Sequence, residues 1–461
     1  MSGSKNGADH MSRIGNGISR RGILQLGLGA AGLYAMRDLA MVSSYAAQGG
    51  GGYRALVCVF LYGGNDSFNM LVPTSTARYA EYLAARQNLA VPVEDLLPIM
   101  PTTNDGIAYG IHPSCPELRT LFDAGNLAIV RNVGTLVAPL TKAQYQAGGA
   151  AVPPQLFSHS DQQFQWQTGV SGSVENVGWG GRVADVAGSL NVGSQVAMNL
   201  SLSGSNTFQV GHDTLPYNLG TNGAIKLSGL FQNWNQDRTA AFETLLDAPH
   251  SNRLVRQFAG IQRQAIDVQG VVTSALASAQ PLATVFPDTG LGRQLRMVAR
   301  MIAIRSTLST SRQVFFVSRG GFDTHDDQEQ DQPGLYADIS RCLAAFQAAM
   351  VELGVADSVT AFTGSDFGRT LTSNGDGSDH GWGSHHLVLG GGVRGGDLYG
   401  TMPSFQMGGP DDVGGGRLLP TTSVDQYSAT LARWYGLTEP QIASVFPNVG
   451  NFATSDLGLM L

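Results

Sequence analysis

Arg54-Ala55-Leu56-Val57-Cys58-Val59-Phe60-Leu61-Tyr62 is the stretch that decides the fold. It is a continuous apolar run with β-branched residues, closed by Gly63-Gly64. An antiparallel strand with one wet face alternates apolar and polar residues. An unbroken run of this length reads as a strand buried on both faces, the kind found in parallel sheets. Outward from it, Pro113 to Ala124 has a helical pattern that opens on Pro and stops at Asp-Ala-Gly. Leu127 to Val133 is a second strand, so strand, helix and strand suggest a βαβ unit.

Further along, Gln313–Ser318, Ser358–Thr363 and His386–Leu389 read as strands. Asn252–Ser278, Leu291–Ser309, Leu335–Leu353 and Val424–Tyr435 read as helices, and Gln441 to Phe446 opens a further one. The alternation predicts an α/β fold with a mainly parallel central sheet. The segment from about 187 to 246 is rich in Gly, Ser and Asn with short alternating runs. It reads as a small β-rich, antiparallel insertion.

The amino terminus carries Ser19-Arg20-Arg21-Gly22-Ile23-Leu24, then an apolar run from Gln25 to Met36. Paired arginines before a weak apolar run, followed by small residues at Ser44-Tyr45-Ala46, read as a twin-arginine export signal over residues 1–47. Residues 48–52 form a glycine-rich linker, and residues 53–461 are the mature domain. The expected location is periplasmic or extracellular, with the twin-arginine translocase as partner during export. Apolar content is 43%, ample for a core, and net charge is −7. No basic run survives into the mature chain, which argues against nucleic acid as a partner. Three cysteines do not make a disulfide framework.

In parallel sheets, ligands sit beyond the carboxyl ends of the strands. Asp66 follows the first strand in a tight glycine turn, where it serves either as a ligand or as a turn former. After Gln313–Ser318 come Asp323 and His325, two residues apart, which extended chain turns to one side. After Ser358–Thr363 come Asp366 and Arg369, then His380, His385 and His386. Side chains alternate along a strand, so only one of His385 and His386 can face the cluster. Clustered His and Asp suit a divalent metal such as zinc, manganese or iron. Leu156-Phe157-Ser158-His159-Ser160-Asp161 precedes another helix. Ser158 and Ser160 there are either helix caps or nucleophiles facing an anion.

These residues lie in stretches that resemble a bacterial exported family known as domain of unknown function 1501. The stretches include LYGGNDSFNMLVP, IHPSCPEL, LFSHSDQQFQWQT, GWGGR, GGFDTHDDQ, SDFGRTLTSNGDGSDHGWGSHHLVLGGGV and TTSVDQYSATLARWYGL, from Leu61 to Leu437. That family is grouped by fold with alkaline phosphatases and sulfatases. The resemblance implies a three-layer α/β/α sandwich with one or two metal ions at the carboxyl edge of the sheet. It implies Asp66, Asp323, His325 and Asp366 as ligands, with His380 or His385 supplying the remaining imidazole. Phe367 departs from the Asn or His found in relatives after the aspartate. The nucleophile would be Ser158 or Ser160, with Ser114 and Cys115 as further candidates; Arg369 or Arg319 would clamp the anion. The implied activity is metal-dependent hydrolysis of phosphate or sulfate esters, on a small anionic ester or a polysaccharide. The alternative is a non-catalytic exported binding or assembly protein that keeps the fold and a vestigial metal site.

Overall fold

The computed structural model describes residues 52–461 apart from 192, 226, 228 and 232. The export segment predicted over residues 1–47 lies outside the described residues, as do residues 48–51 of the linker.

The opening run forms the strand Arg54–Leu61 at the centre of a ten-stranded sheet. Its side chains divide between the two faces. Ala55, Val57, Val59 and Leu61 enter one apolar cluster, and Leu56, Cys58 and Phe60 enter the other. A strand apolar on both faces needs a helical layer on each, and each face has one. On the first, the helices Gly290–Ala303 and Gln328–Glu352 contribute Leu295, Val298, Ile339 and Phe346. On the second, Trp179–Ala187, Val424–Tyr435 and Glu439–Val445 contribute Val183, Tyr427, Leu431 and Ile442. Each fully buried large side chain contributes about 1.5–3 kcal/mol. The result is the expected three-layer α/β/α arrangement.

From one edge the sheet runs Asp397–Tyr399, Leu127–Gly134, Ser384–Leu389, Val359–Ser365, Arg54–Leu61, Arg312–Arg319, Asn199–Ser201, Tyr217–Gly220 and Gly223–Ala224, with Thr422–Ser423 also on Leu127–Gly134. Arg54–Leu61 is parallel to both neighbours, with Leu61 opposite Ser365 on one side and Arg319 on the other. Ser384–Leu389 is antiparallel to both of its neighbours, so the sheet is mixed but mostly parallel.

Two expectations change. Arg54–Leu61 and Leu127–Gly134 are not adjacent, because Val359–Ser365 and Ser384–Leu389 lie between them. Apolar runs alone do not rank strands across a sheet, and late segments of the chain fill the gap. The stretch read as an antiparallel insertion also joins the main sheet. Asn199–Ser201 pairs in parallel with Arg312–Arg319, and only the hairpin Tyr217–Gly220/Gly223–Ala224 at the edge is antiparallel.

The registers bring three carboxyl ends to one level: Leu61, Arg319 and Ser365. The loops after them are packed tightly. Gly63 has φ +114°, and an added Cβ would strike the backbone of Phe322 and Asp323. Gly64 has φ +82°, and its missing Cβ leaves room for the Phe367 ring. Both positions need glycine. A hairpin of Arg369–Ser373 and Ser378–His380 closes over this edge, with Arg369 opposite His380.

Candidate metal centre

Three segments deliver four side chains to the edge. Asp323 and His325 stand in the loop after Arg312–Arg319. His380 ends the hairpin, and His159 is the first residue of the helix His159–Thr168. One ligand atom each from His159, Asp323 and His380 can be chosen so that all lie within 4.8 Å of one another. His159 Nε2 is 3.3 Å from Asp323 Oδ2, and His380 Nε2 is 3.4 Å from Asp323 Oδ1. His325 joins from the solvent side, its Nε2 3.1 Å from Asp323 Oδ1 and 2.9 Å from His380 Nε2.

The outer nitrogens of these rings share one feature. Each Nδ1 meets an oxygen acceptor: Asp366 Oδ2 at 2.7 Å for His159, Asp379 Oδ1 at 3.2 Å for His325, and the Phe157 carbonyl at 2.7 Å for His380. A carbonyl only accepts, so His380 Nδ1 carries a proton; the carboxylates assign the same tautomer to the other two. All three Nε2 atoms then turn lone pairs inward around Asp323. His159 Nε2 is buried and has no hydrogen-bond partner among the described residues. The facing Nε2 atoms of His325 and His380 repel unless a proton or a cation lies between them. Histidines that hold a metal almost always donate the other ring N–H to a carboxylate or carbonyl. The donor set therefore fits a divalent cation of the zinc, manganese or iron type.

The surroundings hold the rings in place. Phe367 packs on both His159 and His380, with ring centroids at 4.8 and 4.7 Å. The hydrogen bond to Asp366 raises the His159 imidazole above its usual value, against the effect of burial. Burial lowers His380. Burial alone would raise the Asp323 carboxyl, but the Arg369 hydrogen bond and charge more than offset it and hold it low.

The residues singled out from sequence divide as follows. Asp323, His325 and His380 come together. Asp366 sits behind His159 and not among the inward atoms; its Oδ2 accepts from His159 Nδ1, Gly63 N–H at 3.2 Å and Gln163 Nε2 at 2.9 Å. Asp66 is in a buried ion pair with Arg86, and its Oδ2 accepts from Gln328 Nε2 at 2.6 Å. It is not among the converging ligand atoms. His385 and His386 are both buried, one against Phe68 and the other against Trp166 and Tyr427. Burial pushes both imidazoles down to about 3, and neither belongs to the cluster.

Arg369 reaches the site but is fully buried. Its guanidinium donates to Asp323 Oδ1 at 2.5 Å, to the Gly63 carbonyl at 3.2 Å and to Ser378. It braces the carboxylate instead of standing open to an anion. Arg319 pairs with Asp338 at 3.0 Å. Ser114 is half-buried and Cys115 is fully buried; burial pushes the Cys115 thiol well up. Ser158 is the N-cap residue, but its side chain makes no cap hydrogen bond. Its Oγ donates to Asp161 Oδ2 at 2.6 Å and lies 3.2 Å from Ser160 Oγ.

His159 was not among the metal ligands expected from sequence. The available signal was an imidazole at a helix start between two hydroxyls, and reading that segment for its serines passed over it.

Among solved structures, the chain is similar to Ps i-CgsB at 9% identity, with 87% of this chain and 77% of that one covered and a TM-score of 0.36. It is similar to the PsFucS1 sulfatase from Pseudoalteromonas sp. at 10% identity, with 87% and 71% covered and a TM-score of 0.33. It is also similar to alkaline phosphatase from the Antarctic bacterium TAB5 at 10% identity, with 86% and 99% covered and a TM-score of 0.29. Likeness at these scores carries no weight for the chemistry of the site. No curated protein matches the chain. Residues 53–445 match the family described as "Protein of unknown function (DUF1501)", and the chain belongs to that family.

Proposed function

We propose that this chain is an exported, metal-dependent hydrolase of phosphate or sulfate esters, with one divalent cation held by His159, Asp323, His325 and His380. The observation that carries the reading is the common orientation of three imidazoles, each fixed at Nδ1 and directed inward at Nε2. A bound cation of this kind supplies Lewis acidity, polarising an ester oxygen and acidifying water. The chain's own residues supply the rest. Asp366, Asp379 and the Phe157 carbonyl hold the histidine tautomers. Phe367 keeps two rings from rotating, and Arg369 holds Asp323 ionised and in place.

Ser158 is the hydroxyl nucleophile in this reading. Asp161 accepts its hydrogen bond at 2.6 Å and is the group that takes its proton. The free N–H groups at the start of a ten-residue helix favour an anionic group beside it. Export runs through the twin-arginine route, which carries folded cargo and so allows the cation to be loaded before crossing.

The test is elemental analysis of the purified chain, joined to hydrolysis of aryl phosphate and aryl sulfate before and after chelation. A chain that holds no divalent metal, or hydrolysis that survives both chelation and Asp323→Ala, sinks the reading. For localisation, Arg20→Lys/Arg21→Lys should leave the chain in the cytoplasmic fraction; unchanged export removes the twin-arginine route.

A second reading has one specific support. Arg369, the arginine nearest the cluster, is spent on Asp323 and backbone carbonyls and not on an open anion site. That favours a metal-containing binding or assembly protein without turnover. Bound metal with no hydrolysis of either ester class, in wild type and Ser158→Ala alike, selects it.

A further inference from the structure

The helix Arg253–Ser278 is 26 residues long and carries one apolar stripe along its whole length. Leu254, Phe258, Ile261, Ala265, Val268, Val272 and Leu276 recur every third or fourth residue, which places them on a single face. The carboxyl-terminal half of the stripe is in the core: Val268 is 5% exposed, Val272 0% and Leu276 7%. The amino-terminal half of the same face is in solvent: Leu254 is 79% exposed, Phe258 62% and Ile261 48%. The preceding helix Gln236–Asp247 ends beside Arg263, which bonds Asp247 at 2.6 Å. Ala259, on that same side, is 5% exposed, so the reverse of the helix's first half is covered while the apolar stripe is left open.

We propose that this open face is a docking surface for a second copy of the chain, with the two helices paired antiparallel about a two-fold axis. Three observations select that occupant. First, the exposed half continues a face that already packs on protein, so it asks for the same kind of partner. Second, the positions flanking the stripe are Gln257, Gln262 and Gln264, while Arg256 and Arg263 lie on the reverse side. An antiparallel self-pair then sets no like charges against each other, and it brings Phe258 of one copy against Ile261 of the other. The same placement disfavours a membrane surface, because Arg256 and Arg263 point away from any headgroups and Arg253 alone, at the helix start, flanks the stripe. Third, the area suffices. Leu254, Val255, Phe258 and Ile261 expose roughly 400 Å² of apolar surface per copy, against about 450 Å² of apolar area in a standard interface of about 800 Å² per partner. An isologous contact of this kind closes on itself and does not propagate.

Sedimentation velocity of the purified chain over a micromolar concentration series tests this. The expected result is a concentration-dependent dimer, with Leu254→Ser/Phe258→Ser/Ile261→Ser raising the dissociation constant at least tenfold. Folding of the variant is checked by an unchanged unfolding midpoint, and Phe258→Ser alone replaces it if the triple change fails to fold. Mixing a Phe258→Cys chain with an Ile261→Cys chain gives an independent reading. Cys58, Cys115 and Cys342 are buried, so mild oxidation should yield a disulfide-linked dimer through the opposed positions 258 and 261. A wild-type monomer throughout the series, a dimer indifferent to the serine substitutions, or association only with phosphatidylglycerol vesicles overturns the proposal.

Discussion

Asp66 and Asp366 stand just beyond the ends of adjacent parallel strands, yet they have opposite roles. Both are almost fully buried. Asp66 meets the Arg86 guanidinium, whose side chain is also inaccessible, and the pair is a closed unit. Asp366 meets an imidazole and leaves that ring's second nitrogen free to face the cluster around Asp323. An arginine neutralises a carboxylate permanently. A histidine passes the carboxylate's influence on to whatever its other nitrogen touches. The same acidic residue at the same level of the sheet is thus half of a closed ion pair in one loop and the support of a candidate ligand in the next, according to its partner. Asp66 also serves the site from behind: Arg86 donates to the carbonyls of Thr370 and Leu371, on the hairpin that carries His380.

Breaking the closed pair should have the largest effect. Arg86→Leu strands the Asp66 carboxylate in the interior and should cost about 3–5 kcal/mol, read as a shift in the denaturant midpoint. Asp66→Asn/Arg86→Leu together should recover part of that loss. A single variant that unfolds like wild type would show that the pair is not the closed unit drawn above.

The open side of the comparison should respond in ligand content instead. His159→Ala or His380→Ala should purify with a small fraction of the wild-type metal while unfolding at nearly the same denaturant concentration. Wild-type metal content in both would remove these rings from the ligand set.

Asp366→Asn sharpens the contrast further. The amide keeps the size but loses the charge, and metal affinity measured by competition with a chelator should fall about 10–100-fold. If Asp366 instead ligates directly, the loss should match that of His159→Ala.

The smallest effect is expected at a third buried carboxylate with no such partner. Asp425 is fully buried and has no ion pair among the described residues, and burial pushes its carboxyl up to about 8, with Arg182 pulling the other way. A raised folded value means that ionisation opposes folding. The destabilisation begins above the unfolded value near 4, grows as pH rises and is complete above about 8. Asp425→Asn should therefore raise Tm by little at pH 5 and by several degrees at pH 9. An advantage that does not widen with pH would mean the carboxyl is charged in the fold without penalty.

Much of the scaffold is legible in the residues alone. Arg54–Leu61, Arg312–Arg319 and Val359–Ser365 read as buried strands because sheet burial on both faces demands uninterrupted apolar residues. Asp323, His325 and His380 are legible because polar ligands at strand ends stand out against those runs. His159 is not, because its place depends on how its helix seats against the sheet edge, and one imidazole at a helix start leaves no periodic signal. The Asp66–Arg86 pair is hidden for a similar reason. Arg86 ends the helix Thr76–Arg86 and looks like a surface residue there, until the hairpin closes over it.

Sequence alone determined the α/β layering, the edge of the sheet where the histidine and aspartate cluster gathers, and the residue types found there. These follow from local pattern: the period of apolar residues and the glycine turns that end each strand. Tertiary structure alone decided which carboxylate meets an arginine, which meets an imidazole and which is buried without an ion pair. Those pairings join residues 20 to more than 200 positions apart. They depend on the register between strands and the seating of helices, which no local spacing encodes.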